Sequence, residues 1–366
     1  MKKLFIVLTS AFIIVSLNTN ARVVTVSNSP TSPGMYFNLQ NACDLSSDGD
    51  TLLVSGSQIS YGTITLNHAL TLLGTGYRPI KDLPYVSTVD FFSINHDNCD
   101  VEGFFVNYSV YTPYGAVNSA KISRNWIQKF AGYLSLNNSQ ISNNIINITG
   151  TNNNVYIAGT GTIVENNILQ IAKGNTFTNT SGGSFTPANY LFLNNTVIFN
   201  STDAVSAGTF GFALNNAMVN NNIFYYYGNT VWPNPVNSTG TYSVYSNNVV
   251  YNDSLSNPFG LNTGNGNNSG FGNVYKINPL FTSLIFDGTG NMNPINSNFL
   301  LQNSSTVKTA GNDGKEPGIY GGNLPMQSWP ITGNPAIPQV SSMIINKLII
   351  APGDSLNVNI KAKSFK

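Results

Sequence analysis

A six-residue pattern occurs seven times along this chain, and it constrains the fold more than any other feature. Val101-Glu102-Gly103-Phe104-Phe105-Val106 returns as Ile122-Ser123-Arg124-Asn125-Trp126-Ile127 and Ile141-Ser142-Asn143-Asn144-Ile145-Ile146. It continues as Val164-Glu165-Asn166-Asn167-Ile168-Leu169 and Phe192-Leu193-Asn194-Asn195-Thr196-Val197. Val219-Asn220-Asn221-Asn222-Ile223-Phe224 and Tyr245-Ser246-Asn247-Asn248-Val249-Val250 complete the series. Successive copies start 19 to 28 residues apart. A period of that size suits a coil of short strands and turns, with loops of variable length inserted on one side. Helical repeats of similar length need a 3.6-residue apolar period and strong helix formers. These segments are instead short, rich in β-branched residues, and bounded by Asn, Gly, Ser and Thr. The expected fold is therefore all-β, a single-stranded parallel β-helix.

From the second copy onward the fourth place is Asn125, Asn144, Asn167, Asn195, Asn222 and Asn248. With each copy one strand spacing of about 4.8 Å above the last, these side chains are expected to form a ladder in which each amide donates to the next. Asn also tolerates the left-handed backbone of a sharp bend, so the fourth place is expected to be the bend as well.

A stack of coils has two raw ends that must be covered. At the start, Arg22 to Val26 reads as an edge strand. A short helix follows over Asn38 to Leu45, capped by Asn38, with Leu39, Ala42 and Cys43 on one face. Gly49-Asp50-Thr51 into Leu52-Leu53-Val54, Thr63 to Leu66, and Leu70 to Gly74 read as the first coils. At the far end Leu356, Val358 and Ile360 alternate after a Pro352-Gly353-Asp354 turn and pair with Met343 to Ile350 as a C-terminal β-hairpin. Residues 22–322 are thus assigned to the helix with its cap, 323–338 to a Pro/Gly-rich connector and 339–366 to the hairpin. Roughly ten coils and a rod about 50 Å long follow from strand spacing.

Charged residues make up 8% of the 366, with a formal net charge of +1. That excludes a nucleic-acid binder, which needs clustered Lys and Arg. With 41% apolar residues the chain is not expected to be disordered either. Residues 1–21 read as an export signal: Lys2 and Lys3, an apolar run from Leu4 to Leu17, then Thr19-Asn20-Ala21 before a cut at Arg22. The run is too short to span a bilayer, so the mature chain is expected to be exported, secreted or held in the periplasm or at the cell surface, and not membrane-spanning. In such a compartment Cys43 and Cys99 can pair, although packing alone accounts for two separate buried thiols. Two Cys and two scattered His do not suggest a metal site, and His68 and His96 read as turn residues.

The opening Val23-Val24-Thr25-Val26-Ser27-Asn28, the Gly49-Asp50-Thr51 turn, Leu72-Leu73-Gly74-Thr75-Gly76-Tyr77 and the Asn-Asn-apolar repeats resemble bacterial secreted right-handed parallel β-helix proteins with the pectate-lyase-like fold. Asn278-Pro279-Leu280-Phe281, Phe299-Leu300-Leu301 and Pro317-Gly318-Ile319-Tyr320-Gly321-Gly322 look like the last coils of such proteins. The likeness covers nearly the whole mature chain and implies a right-handed helix. It does not imply one chemistry: such proteins include polysaccharide lyases, glycoside hydrolases and adhesins.

Lyases of that kind use a basic side chain beside Ca²⁺ held by carboxylates, and hydrolases use two or more carboxylates facing one groove. Neither set maps onto this chain residue by residue, and Ca²⁺ is implied only if the chain is a lyase. The repeat register nevertheless stacks Asp100 beneath Lys121 and Glu102 beneath Ser123, close to Arg124, with both carboxylates on the outward face. These four are candidates for acid/base work, against the plainer reading of an exposed ion pair that sets register.

A second candidate is aromatic. The place after the hexad is Ile198, Tyr225 and Tyr251 in the late coils, with Tyr227 and Trp232 following. If this stripe is open, sugar rings can stack on it; alternatively, loops bury it or its tyrosines pair across strands. The expected function is an exported, non-catalytic β-helix with a glycan- or surface-binding face. The alternatives are a polysaccharide lyase or glycoside hydrolase, and a structural or adhesive rod.

Overall fold

The computed structural model describes residues 21–364 except 32, 79–84, 150–153, 173, 181–186, 201–210, 228–239, 252–257, 260, 262–266, 288–290, 328–329, 336–337 and 346–354. The export signal, Trp232 and the turn of the C-terminal hairpin therefore lie outside the described residues.

The chain winds as a right-handed parallel β-solenoid of about eight turns. Eleven parallel strands build sheet A, from Val23–Val26 through Lys121–Ser123 to Ser269–Phe271. Nine build sheet B, from Thr88–Val89 to Val274–Tyr275. A three-stranded and a five-stranded sheet make the third side. Each hexad supplies one strand to sheet A and one to sheet B, in unbroken register: Val101, Ile122, Ile141, Val164, Phe192, Val219 and Tyr245 stack in one inward column. All seven are at most 1% exposed. An eighth copy, Gly270-Phe271-Gly272-Asn273-Val274-Tyr275, sits on top of Tyr245.

Between the two strands of each hexad the chain turns a corner, and the corner takes two residues with different tasks. The third place holds the left-handed backbone: Gly103, Arg124, Asn143, Asn166, Asn194, Asn221, Asn247 and Gly272 all have φ between 51° and 82°. Expecting the bend at the fourth place was wrong by one residue. Only a left-handed residue re-aims the chain while leaving its own side chain outside, and Asn and Gly reach that region at least cost.

The fourth place points inward and is wholly buried from Asn125 to Asn248. Asn144 donates its backbone and side-chain N–H groups to Asn167 Oδ1 at 2.9 and 3.0 Å, and Asn167 does the same to Asn195 at 2.9 and 3.0 Å. The same paired contact links Asn125 to Asn144, Asn195 to Asn222, Asn222 to Asn248, and Asn248 to Asn273. Each Nδ2 also reaches a backbone carbonyl of the preceding coil, as Asn167 does to Ile141 at 2.9 Å.

A second left-handed column closes the other end of sheet A. Asn98, Ser119, Asn138, Gly161, Asn189, Asn216, Tyr242 and Asn267 have φ between 47° and 69°, each three residues before its hexad.

Below the first coil, the helix Leu39–Asp44 packs Leu39, Ala42 and Cys43 into the core, and Asn38 Oδ1 accepts from Asn41 N at 2.9 Å. Cys43 and Cys99 are both buried free thiols. At the C-terminus Pro338–Ile345 pairs antiparallel with Val358–Ser364, setting Val358 opposite Ile345 and Ile360 opposite Met343.

The segments expected to form the last coils do not extend the stack. Phe281–Ser283 and Asn298–Leu301 pair antiparallel beside it, and the described residues between 281 and 335 run back down the outside of sheet B. The reason lies in the fifth place of the hexad, which faces outward yet is apolar: Ile145, Ile168, Ile223 and Val249 need a cover. Phe281, Met292, Phe299, Leu301, Val307, Ile319, Met326 and Ile331 provide it, forming a second core with them. Each such side chain removed from water contributes on the order of 1.5–3 kcal/mol.

The third-place side chains, pointing outward, serve as rungs for this arm. Asn221 exchanges hydrogen bonds with Asn312 at 2.8 and 2.9 Å, and Asn166 Nδ2 donates to the carbonyls of Ile319 and Gly321 at 3.0 and 2.9 Å. Arg124 Nη1 reaches Asn334 O at 3.1 Å. Gly318, at φ +82°, lies so close that a Cβ there would come within 2.8 Å of Thr196 Oγ1.

Asn167→Ala leaves two N–H groups of Asn144 without their acceptor in a dry corner and removes the side-chain donor to Ile141 O, and is expected to destabilise the protein by about 3 kcal/mol or more. Thermal and urea denaturation followed by circular dichroism check this, with the exposed Asn296→Ala as the comparator expected to change stability by less than about 1 kcal/mol.

Candidate functional site

Two patches hold the sequence-derived candidates. The first lies on the outer face of sheet A, where strands Asp100–Glu102 and Lys121–Ser123 pair in register. Lys121 Nζ sits 3.6 Å from Asp100 Oδ2, and Arg124 Nε sits 3.5 Å from Glu102 Oε1. All four residues are brought together, but as two one-to-one ion pairs. Both carboxylates lie on the outward face, but neither is open to solvent. The Glu102 side chain is 8% exposed and Asp100 25%. Arg124 is tied down by the arm, and Pro335 packs against Gly103 beside it.

Burial pushes the Asp100 carboxyl up to about 6; Lys121 opposes the shift and Glu102 reinforces it. Asp100 Oδ1 is buried without a hydrogen-bond partner. Among the described residues no three His, Cys, Asp or Glu side chains come together as metal ligands.

The second patch lies at the top of sheet B. Ile198, Tyr225 and Tyr251 do face outward from it, in the register Ile198–Tyr225–Tyr251. Of the two readings, open stripe or stripe covered by chain, the second describes most of it, because the arm begins here. Ile198 is wholly buried. The Tyr225 ring meets Phe281 edge-on at 5.6 Å and Tyr251 at 5.1 Å. Phe286 stacks on Tyr227 with planes 6° apart. Burial holds the Tyr225 phenol up at about 12, so it is a neutral hydrogen-bonding group at physiological pH.

The arm covers the tyrosines only partly. Between it and sheet B an open cleft of about 430 Å³ remains, lined by Tyr225, Tyr227, Leu280, Phe281, Phe286 and two amides, Asn278 and Gln302, with Leu284 completing the wall. None of these residues carries a charge. The cleft floor is held by local polar contacts: Asn278 Oδ1 accepts from Leu280 N at 2.9 Å, fixing a turn in which Leu280 has φ +54°. Gln302 grips the other strand, its N donating to Leu280 O at 2.9 Å and its Nε2 to Phe281 O at 3.0 Å. Sequence reading missed Asn278, Phe281, Phe286 and Gln302 as site residues. They lie 51 to 75 residues beyond Tyr227 and join it only because the arm folds back.

Fold and site together define a right-handed parallel β-helix with a C-terminal arm and an uncharged aromatic cleft where the arm leaves the stack. Compared with models of known protein families and with curated proteins, the chain matches none. No helix among the described residues is long and apolar enough to cross a membrane.

The raised Asp100 value fixes a sign. The group favours the fold while protonated, so its contribution is complete below its ordinary value of 3.8 and is lost as pH rises through about 6. Asp100→Asn is therefore expected to be more stable than the parent above pH 6, by at most about 3 kcal/mol, and no more stable at pH 4. The difference in melting temperature between the two proteins across pH 4 to 8 checks this.

Proposed function

We propose that the chain is an exported, non-catalytic β-helix protein of the pectate-lyase-like kind that binds glycan in the cleft at its late coils. The observation that carries the reading is the wall chemistry of that cleft. Aromatic faces from Tyr225, Tyr227, Phe281 and Phe286 converge with the amides of Asn278 and Gln302 and with phenol groups, and no charge stands among them. Sugar rings offer apolar C–H faces for the former and hydroxyl edges for the latter, and desolvating an uncharged wall costs little. A cleft of this size takes one or two rings. Export is supported by the N-terminal sequence of Lys2, Lys3 and an apolar run.

Catalysis by a lyase or hydrolase mechanism has one observation in its favour, the near-neutral Asp100 carboxyl beside Lys121. Against it stands the burial of Glu102 and the pairing of every candidate charge. Incubation with uronic-acid and neutral polysaccharides, with and without Ca²⁺, decides: new unsaturated or reducing ends that vanish in Asp100→Asn would establish the enzyme.

For the cleft, Tyr227→Ala combined with Gln302→Ala is expected to weaken binding to short immobilised oligosaccharides at least roughly tenfold. Melting temperature should fall only modestly, because both residues are partly exposed. A glycan array read with parent and variant measures this, and a parent that binds no glycan sinks the proposal.

A further inference from the structure

The third side of the solenoid carries an aromatic feature far from the cleft and outside the hexads. Its outward positions stack rung by rung. Ser93 is level with Tyr111, Tyr133 with Tyr156, and Tyr156 with Thr178. Thr112 N donates to Tyr133 O at 3.2 Å, which carries the column from Tyr111 across to Tyr133. Three successive coils thus present a tyrosine at one register position. The alternate residues Leu134, Val155 and Ile157 point into the core at 1% exposure or less, so the tyrosines face out by strand alternation.

The column widens at its lower end. Phe91 stacks on Tyr108 with centroids 4.8 Å apart and planes 10° apart, and meets Tyr111 edge-on at 6.3 Å. Tyr133 and Tyr156 lie 6.2 Å apart. Tyr108 is 42% exposed, and Tyr114, in the turn after the Tyr111 strand, is 88% exposed. By strand spacing, the track from Phe91 to Tyr156 is about 15 Å long.

We infer that this tyrosine track is a second binding site, one that takes an extended neutral polysaccharide lying along the solenoid axis. The fold does not require tyrosine at these partly exposed positions: outward places lower on the same side are filled by Thr63 and Thr65. The occupant follows from the chemistry of the column. The column from Ser93 to Thr178 contains no charged side chain, and the nearby Lys129 lies over the Tyr108 ring at 5.2 Å, so a row of uronate or sulfate groups along the column finds no matching row of cations. A protein partner wants a patch whose centre dehydrates completely. Here each ring ends in a hydroxyl and hydroxylated residues close both ends of the column, so the surface alternates apolar faces with polar edges along a line. A chain of pyranose rings alternates in the same way. The track differs from the cleft in geometry, one being linear and open and the other closed on one side by the arm.

The test is native affinity electrophoresis of the full chain in gels containing galactomannan, xyloglucan, mixed-linkage β-glucan or amylopectin, with polygalacturonate as the charged comparator. Tyr227→Ala and Gln302→Ala are present throughout, so that the cleft does not contribute. Retardation by at least one neutral polymer is expected. Tyr111→Ala, Tyr133→Ala and Tyr156→Ala together should weaken it roughly tenfold or more, while the corresponding Phe variant, keeping the rings, holds within about threefold. If the triple Ala variant melts early, the single Tyr133→Ala and Tyr156→Ala proteins give the same reading, each with a loss of a few-fold. The inference is overturned if no neutral polymer retards the background protein, if the Ala variants migrate like it, if the Phe variant loses as much as the Ala variant, or if polygalacturonate binds best.

Discussion

The structure depends on a corner built from two adjacent residues, one outside and one inside. The outer residue takes the left-handed backbone that turns the chain from sheet A into sheet B. The inner one is an asparagine whose short amide fits that corner, bonding the backbone of the coil below and the amide of the coil above. A buried corner of a solenoid would otherwise leave peptide N–H groups with no strand opposite them, at a cost of about 1–3 kcal/mol each. The paired contacts from Asn125 to Asn273 remove that cost at every level. They also lock the vertical register, because sliding one coil by a residue would carry an apolar side chain into the corner and the amide into the core. At the bottom, where Phe104 takes the place of Asn, its own N–H is still met by Asn125 Oδ1 at 2.9 Å.

The arm is a consequence of the same corner. Turning there directs the fifth hexad place outward, and in this chain that place is filled by Phe, Trp, Ile and Val in every copy but one, where it is Thr196, which leaves a long, largely apolar stripe. The C-terminal residues cover it and use the outward third-place amides as anchoring points, so one repeat organises both the inner core and the outer one. The path of the arm decides which outward faces are covered. At the top, where it departs, it leaves a cleft between its own aromatics and those of sheet B. Near the bottom, it lies over the Arg124–Glu102 pair and draws that pair out of solvent. On the third side the tyrosines of three coils form a partly exposed column.

Much of this architecture was legible because a solenoid writes its vertical neighbours into the sequence at a recurring offset. Asn144 and Asn167 are 23 residues apart in the chain and adjacent in space, and no long-range inference was needed to align them. The eighth copy escaped notice because Gly270 and Gly272 stand where other copies have Val or Ile and Asn, although Asn273-Val274-Tyr275 preserves the signature. The bend was placed one residue late because Asn occupies both the third and fourth places of most copies, and either one tolerates the left-handed region. The tyrosine track left no signal, since loops of different length precede Tyr111, Tyr133 and Tyr156 and their spacing from the hexads is irregular.

Sequence by itself determined the class of fold, the register of the two principal sheets and the residues in their inward columns, because each of these is a nearest-neighbour property of a repeating coil. It also brought Asp100, Glu102, Lys121 and Arg124 together correctly. What only the tertiary structure decided is which outward faces meet water. That depends on the path of residues 281–335, a non-repeating segment whose partners lie up to 259 positions away, as Asn334 and Thr75 do. Such contacts carry no period. Alternation says that Tyr225 and Glu102 point away from the axis, but whether solvent or another part of the chain waits there is a matter of global packing.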